Sequence, residues 1–468
     1  MNMELFNKNV YKDRRDILRS KINNGIAIFP GNVYVPYNYP ANPYKFRQDS
    51  SFLYYFGLNV PGLTAVIDFD EGKDYIFGND IGIEDIIWMG PQPSIKELAS
   101  QVGVENTMPL NKLSSYIEKA KTEGRQIHFL PPYRAHTKLF LEDLTGIPAP
   151  ETSSRASIEL IKAVVDMRLI KDEFEIKYLD DIMDVAYEMH VTAMIMAREG
   201  VYEREIVGTM EGIVAGFGGD VSFPIILSKR GEILHNENHE NQLKNGDLLL
   251  VDAGFDSPMG YATDHTRTFA VGGHFSQIQK DIYNIVLAAN DSVHNASAPG
   301  IQYKEMHFLA CEVITQGLID MGIMKGNVND AVNAGAHTLF MPHGLGHAMG
   351  LDVHDMEGLG EDFVGYGDEL KRSTQFGTAY LRFARTLKPG HVITNEPGIY
   401  FIPALIDKWQ AEGLNKDFIN YNEVNKFRNF GGIRLEDDML ITENSSRNLG
   451  KTRIPIYLDE LSDIIGKE

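Results

Sequence analysis

A nearly unbroken apolar run, DLLLVDAGF at 247–255, constrains the fold more than any other stretch of this chain. A strand apolar on both faces must be covered on both faces, which calls for layered helices and sheet rather than a helical bundle. The run nevertheless carries Asp252 near its end, and DAG turns the chain directly afterwards. Burying a carboxylate there without a counter-charge is costly. Asp264 follows in DHTRTF, which is again strand-like. One buried aspartate reads as a turn residue or a salt-bridge partner. Two, flanking a Gly-containing turn, are better explained by a shared cation, with Thr266 and Arg267 able to support the second carboxylate.

Histidine is concentrated in the same half. Ten of the 14 histidines fall between His235 and His354, and such density raises the odds of a metal or proton-transfer site. His343, His347 and His354 share PHGLGHAMGLDVHD at 342–355. HGLGH lacks the HExxH pattern of a helical zinc site. Its glycines instead predict a loop that sets the histidines at separate points around a pocket. Glu396 lies in TNEPG at the end of a strand-like run, HVITNEPGIY (391–400), with Pro397 fixing the backbone after it. Glu436 lies in GGIRLEDDMLIT (431–442), where period-two alternation sends Arg434 and Glu436 to one face. Asp252, Asp264, His347, Glu396 and Glu436 together make four hard oxygen donors and one imidazole. Bridging carboxylates can hold two divalent ions about 3.5–4 Å apart. The donor set suits Mn²⁺, with Zn²⁺, Co²⁺ or Fe²⁺ open.

The remainder of the chain predicts a mixed α+β architecture. An amphipathic helix is expected over 10–23, with short strands at 25–29, 64–69 and 74–78 bounded by Gly, Asp and Asn. PAPETSSR (148–155) collects turn formers and marks a boundary, giving an amino-terminal domain over 1–157 and a catalytic domain over 158–468. DEFEI (172–176) opens a long helix, and further helices are expected at 276–297 and 302–321. GFGG (216–219) lacks the GxGxxG spacing and reads as a turn. Cys311 is the only cysteine, so no internal disulfide forms. It reads as a small buried apolar residue on a helix. The formal charge of −21 disfavours nucleic acid and anionic membranes. No apolar run approaches a bilayer span, and the amino-terminal stretch has no apolar core of a signal peptide, so a cytoplasmic protein is expected.

DAG, DHTRT, HGLGHAMGLDVHD, EPGIYF and GGIRLEDD, in that order, resemble the pita-bread metallopeptidases, and within them the Xaa-Pro dipeptidases (prolidases) and aminopeptidase P. FRQDSSFLYYFGL (46–58) and IWMG (87–90) resemble that group's creatinase/prolidase-like amino-terminal domain. The resemblance implies that Asp252 holds one metal ion, His347 and Glu396 the other, and that Asp264 and Glu436 bridge. It also implies that His354 contacts the scissile carbonyl, that His343 transfers a proton, that His235 lines the substrate pocket, and that Arg434 lies beside the site. Glu396 is the expected proton acceptor. LRFARTLKPG (381–390) and the stretch 403–430 look more like prolidases, which puts Arg382 where a dipeptide's carboxylate would be gripped. The implied reaction is hydrolysis of Xaa-Pro dipeptides, with removal of the first residue from longer Xaa-Pro peptides as the alternative. A pita-bread binding module without catalysis, or a metal-free creatinase-like hydrolase, is a distant third. A homodimer is implied too. Three departures bear on the substrate pocket: His265 inside the D-x-T segment, Asn236 after the pocket histidine, and the long, Gly-rich, acidic segment 355–381.

Overall fold

The computed structural model describes residues 5–467. The first four residues of the amino-terminal stretch, and Glu468, lie outside them. The chain forms two compact units. One runs up to Arg168 and includes Met356–Phe363. The other comprises Leu169–Asp355 and the chain from Val364 onward. The turn-former reading divides the chain at 157/158. Helix Ile158–Leu169 lies between that point and the place where the compact units part. No helix among the described residues is long and apolar enough to cross a membrane.

The first unit is built on one mixed sheet. Its strands are β1 (Ile26–Pro30), β2 (Thr64–Asp68), β3 (Lys73–Phe77), β4 (Asn106–Met108) and β5 (Ile127–His128), in the order β4-β3-β2-β1-β5. The β1–β2 and β2–β3 pairs are antiparallel, whereas β3–β4 and β1–β5 are parallel. One face buries Ile26, Ile28, Val66, Tyr75 and Phe77 against Leu113, Ile117 and Leu144 of the covering helices. Helix Lys8–Lys21 sends Arg15 inward. There the fully buried guanidinium meets Asp74 at 2.7 Å and the carbonyls of Tyr55, Val102 and Gly103. A buried arginine is tolerable only with its donors this fully paired.

The second unit assembles several small sheets beneath long helices. Helix Glu173–Met196 begins at Asp172, whose carboxylate accepts from the amides of Phe174 and Glu175, while Glu175 reaches back to the Asp172 amide. It packs on helix Glu203–Gly216 and on strand Leu248–Ala253, and helix Gln277–Ala296 packs on helix Tyr303–Asp320. The strands are β6 (Asp220–Val221), β7 (Ile226–Ser228), β8 (Leu248–Ala253), β9 (Phe255–Asp256), β10 (His265–Ala270), β11 (Val392–Asn395), β12 (Gly398–Tyr400), β13 (Gly432–Arg434), β14 (Asp437–Ile441) and β15 (Ser446–Asn448). They pair as β10-β8-β7, β11-β14-β15, β12-β13 and β6-β9. Strand β8 is buried along its whole length, as its composition demands.

Two stretches that read as single strands are each broken in two. The run 391–400 splits at Glu396–Pro397, and the run 431–442 splits at Leu435–Glu436. Proline has no amide hydrogen for a ladder, which accounts for the first break. Both breaks place a glutamate at a strand end, where its side chain is free of the ladder's alternation.

Candidate metal centre

Register brings the acidic residues together. In the β8–β10 ladder Thr266 stands opposite Asp252, and Thr266 also bridges to Glu436. Asp264 directly precedes β10, and its amide donates to the buried Asp438 carboxylate at 2.9 Å. The HGLGH loop lies along β11: the His347 amide donates to Thr394 Oγ1 at 3.1 Å, and the Glu396 amide donates to the Leu345 carbonyl at 2.9 Å. The loop can approach this closely because residue 346 is glycine. A Cβ there would sit 2.1 Å from the Thr394 carbonyl oxygen. The glycine after Asp252 has a similar cause, since a Cβ on Gly254 would lie 1.8 Å from the Thr263 carbonyl oxygen.

Asp264, His347 and Glu436 each offer one donor atom, and the three atoms lie within 4.8 Å of one another. His347 Nε2 stands 3.3 Å from Asp264 Oδ2 and 3.8 Å from Glu396 Oε1. Its Nδ1 lies 3.1 Å from the Ala348 carbonyl oxygen. A carbonyl only accepts, so Nδ1 carries the proton and Nε2 the lone pair, the tautomer a metal ligand needs. Asp252 joins the group through Arg434, whose Nη2 donates to Asp252 Oδ2. The same guanidinium donates from Nε to Thr266 Oγ1 at 3.0 Å, and the Thr266 hydroxyl donates onward to Glu436 Oε2 at 2.6 Å.

The electrostatics of the cluster are unbalanced. Burial, then the negative charge of Asp252, Asp438 and Glu396, pushes the Asp264 carboxyl well above its ordinary range. Burial and the charges of Asp264, Glu396 and Asp252 do the same to Glu436. Burial also raises Asp252, with Arg434 opposing it. Glu396 differs: burial works against its charge, but His343, His347 and Arg434 together hold it below the usual range. Asp252 Oδ1 is buried without a hydrogen-bond partner among the described residues. Four carboxylates around one guanidinium, with an imidazole lone pair turned inward, fit a site for multivalent cations.

Around this cluster the histidines are not spread out as the loop glycines suggest. His347 and His354 pack with ring centroids 4.0 Å apart, because the chain doubles back between them. The turn is held by Asp355, whose amide donates to the Ala348 carbonyl at 2.8 Å and whose carboxylate pairs with buried Lys171 at 2.9 Å. His354 Nδ1 accepts from Arg382 Nη1 at 3.1 Å, so the proton of a neutral His354 sits on Nε2. His343 lies against Glu396, with Nδ1 3.9 Å from Oε2. Its Nδ1–H donates to the Gly344 carbonyl at 2.7 Å, leaving Nε2 to accept from the Tyr400 hydroxyl at 3.0 Å. Burial lowers the His343 pKa. His235 is exposed, near enough for its charge to act on Asp252 and His343.

Other residues land differently from their sequence reading. Thr266 and Arg267 do not support Asp264. Thr266 bonds Glu436, and the fully buried Arg267 bonds the Glu436 carbonyl at 2.7 Å and the Asp437 carboxylate at 2.6 Å. The cause is register, since β10 faces the Glu436 break rather than its own approach segment. His265 points away from the cluster, packs against His190 at 6.1 Å, and is held neutral by burial at about 3. Asn236 donates to Ser228 Oγ at 2.9 Å. Tyr400 was not among the sequence candidates, yet its hydroxyl accepts from Arg434 Nη1 at 2.9 Å while bonding His343. Its signal was slight: Tyr400 closes the same strand-like run that carries Glu396, four residues further on.

The chain resembles known proteins in both units. Residues 177–443 match the model of metallopeptidase family M24, and residues 11–128 match that of the aminopeptidase P amino-terminal domain. The chain is 31% identical to the human Xaa-Pro dipeptidase, over 89% of this chain and 83% of that protein. It is 30% identical to a Fusarium vanettenii protein named "Probable Xaa-Pro aminopeptidase", over 96% and 94%. A zinc-substituted E. coli aminopeptidase P in complex with product superposes with a TM-score of 0.80 at 26% identity, covering 98% of both chains.

Proposed function

The chain belongs to metallopeptidase family M24, and from that membership we propose that it hydrolyses the bond between an amino-terminal residue and a following proline, with Xaa-Pro dipeptides as its main substrates. The observation that carries the reading is the convergence of Asp252, Asp264, His347, Glu396 and Glu436, with the His347 lone pair turned inward by the Ala348 carbonyl. In this reading Asp252, Asp264, His347, Glu396 and Glu436 would hold two divalent ions between them. The oxygen-rich donor set favours Mn²⁺ over Zn²⁺, Co²⁺ or Fe²⁺. When bound, such ions supply Lewis acidity toward the carbonyl and toward water.

The side chains supply the rest. Glu396, held ionised by its histidine and arginine neighbours, takes the proton of the attacking water. His354, with Nδ1 occupied by Arg382, offers Nε2–H to the carbonyl oxygen as that oxygen gains charge. His343 exchanges a proton at Nε2 with the Tyr400 hydroxyl, which relays it toward the leaving proline nitrogen, while the Gly344 carbonyl fixes the ring at Nδ1. The bond before proline carries no N–H, so the pocket has no such donor to satisfy.

Arg382 supports the dipeptide preference. It sits beside His354, where a guanidinium can pair a carboxylate one residue beyond the scissile bond. The relatives do not choose, since identity to the dipeptidase and to the aminopeptidase is nearly equal. Kinetics on Ala-Pro and Ala-Pro-Ala decide. The proposal requires kcat/KM for Ala-Pro to exceed that for Ala-Pro-Ala by about tenfold or more. It also requires Arg382→Ala to raise KM for the dipeptide by roughly 10-fold, the value of a lost charged pair. Equal rates and an indifferent Arg382→Ala variant favour the aminopeptidase reading. We also propose a homodimer, which sedimentation equilibrium of the full chain tests.

A further inference from the structure

A second group of donor side chains meets inside the larger unit, and the proposed mechanism uses none of them. His307 and Cys311 lie one turn apart on helix Tyr303–Asp320, and His337 enters from the short 3-10 turn Ala336–Leu339. Exposure is 1%, 0% and 0% for the three. Each offers one donor atom, and the three atoms lie within 4.8 Å of one another. Cys311 Sγ is 3.7 Å from His307 Nε2. Two donors on one ion, with metal–sulfur near 2.3 Å and metal–nitrogen near 2.0 Å, stand about 3.6 Å apart. The observed spacing therefore suits a shared ion.

His337 gives an independent indication. Neither of its ring nitrogens has a hydrogen-bond partner among the described residues, and His307 Nδ1 has none either. A buried imidazole with both nitrogens unpaired is costly, and packing alone would be met better by an apolar residue. Burial keeps both rings neutral, with His307 at about 3 and His337 at about 4, so each retains a lone pair for donation. Burial also keeps the Cys311 thiol protonated until a cation replaces the proton.

Charge and softness choose the ion. A thiolate with two imidazoles is a soft set, unlike the oxygen-rich carboxylate cluster. With a monovalent ion the assembly is neutral, whereas a divalent ion leaves a positive charge in a sealed interior. We propose that His307, Cys311 and His337 form a buried site for one soft monovalent cation, Cu⁺. Binding exchanges the Cys311 S–H bond for S–Cu, and the proton leaves to solvent with no change of oxidation state. The ion would tie helix Tyr303–Asp320 to the segment that leads into His343 and His347.

Because the chain has a single cysteine, a thiolate-to-metal charge-transfer band reports this site alone. Full-length protein is loaded anaerobically with Cu⁺ or with Zn²⁺, washed with EDTA, and examined by ultraviolet absorption, X-ray absorption and metal analysis. One EDTA-resistant copper per chain with a thiolate band is expected. Cys311→Ser and His337→Gln, both checked for folding by circular dichroism, are expected to weaken retention at least tenfold. Cys311→Ala serves if the serine variant does not fold. Absence of the band, equal copper retention by the variants, or sulfur-bound zinc in preference to copper overturns the proposal.

Discussion

Replacing Asp264 with asparagine is expected to stabilise the metal-free protein while destroying its response to metal. The facing oxygens of Asp264 and Glu436 lie within 4.8 Å. At an effective dielectric of about 20, two unit charges at that distance repel by about 3.5 kcal/mol. The protein partly escapes this repulsion by taking up protons, since burial and mutual repulsion push both carboxyls well above their ordinary range. A carboxyl whose folded-state pKa is raised contributes stability that is fully present below the unfolded value near 4. That stability is lost as pH rises through the folded value. Metal-free wild type is therefore expected to weaken from about pH 4 upward, and Asp264→Asn to weaken less steeply. The gain on substitution is near zero at pH 4, grows by about 1.4 kcal/mol per pH unit above that, and levels off near the repulsion of about 3 kcal/mol by pH 8, or several degrees of melting midpoint. With metal the order reverses, because stabilisation by a bound ion scales with its affinity, and a neutral amide is a weaker donor than a carboxylate. Thermal melts in EDTA and in Mn²⁺, at pH 5 and pH 8, make the measurement. A metal-free Asp264→Asn protein that melts below wild type at pH 8 would refute the reasoning. So would one that gains as many degrees from Mn²⁺ as wild type does.

Other expectations follow from the hydrogen-bond network. Tyr400→Phe removes the hydroxyl between Arg434 and His343, and kcat is expected to fall roughly 10–100-fold with bound metal unchanged, as read by steady-state kinetics beside metal analysis. His354→Ala removes the Nε2–H donor, so kcat is expected to drop about 10²–10³-fold with little change in KM. Gly346→Ala forces a Cβ against the Thr394 carbonyl, and a loss of about 1–3 kcal/mol together with weaker metal retention is expected by chemical denaturation and dialysis.

Much of the second unit was legible because its demands are local. An apolar run must be covered, a capping box starts a helix where Asp172 stands, and three- and four-residue spacing marks the helix that follows. The helices expected at 276–297 and 302–321 appear as Gln277–Ala296 and Tyr303–Asp320. The amino-terminal strands likewise fall within a residue or so of their expected positions. The acidic candidates could be named one by one, since carboxylates at the ends of apolar strands stand out against their surroundings.

What the sequence could not supply is which partner each group meets. Thr266 and Arg267 follow Asp264 in the chain, yet pairing between distant strands turns them to Glu436 and Asp437. The histidines of one loop look dispersed by their glycines, but the loop folds back so that His347 and His354 touch. Tautomers, too, belong to the tertiary structure, because the Ala348 and Gly344 carbonyls and the Arg382 guanidinium decide which nitrogen of each ring carries the proton. Tyr400 joins the site only through its contacts with His343 and Arg434, and His337 meets Cys311 only when a turn packs on a helix. The sequence by itself determined the elements and the inventory of donors, because propensity, capping and periodicity act over a few residues. The tertiary structure alone decided the pairings, because strand register and loop closure bring together residues that lie from a few to 170 or more positions apart in the chain.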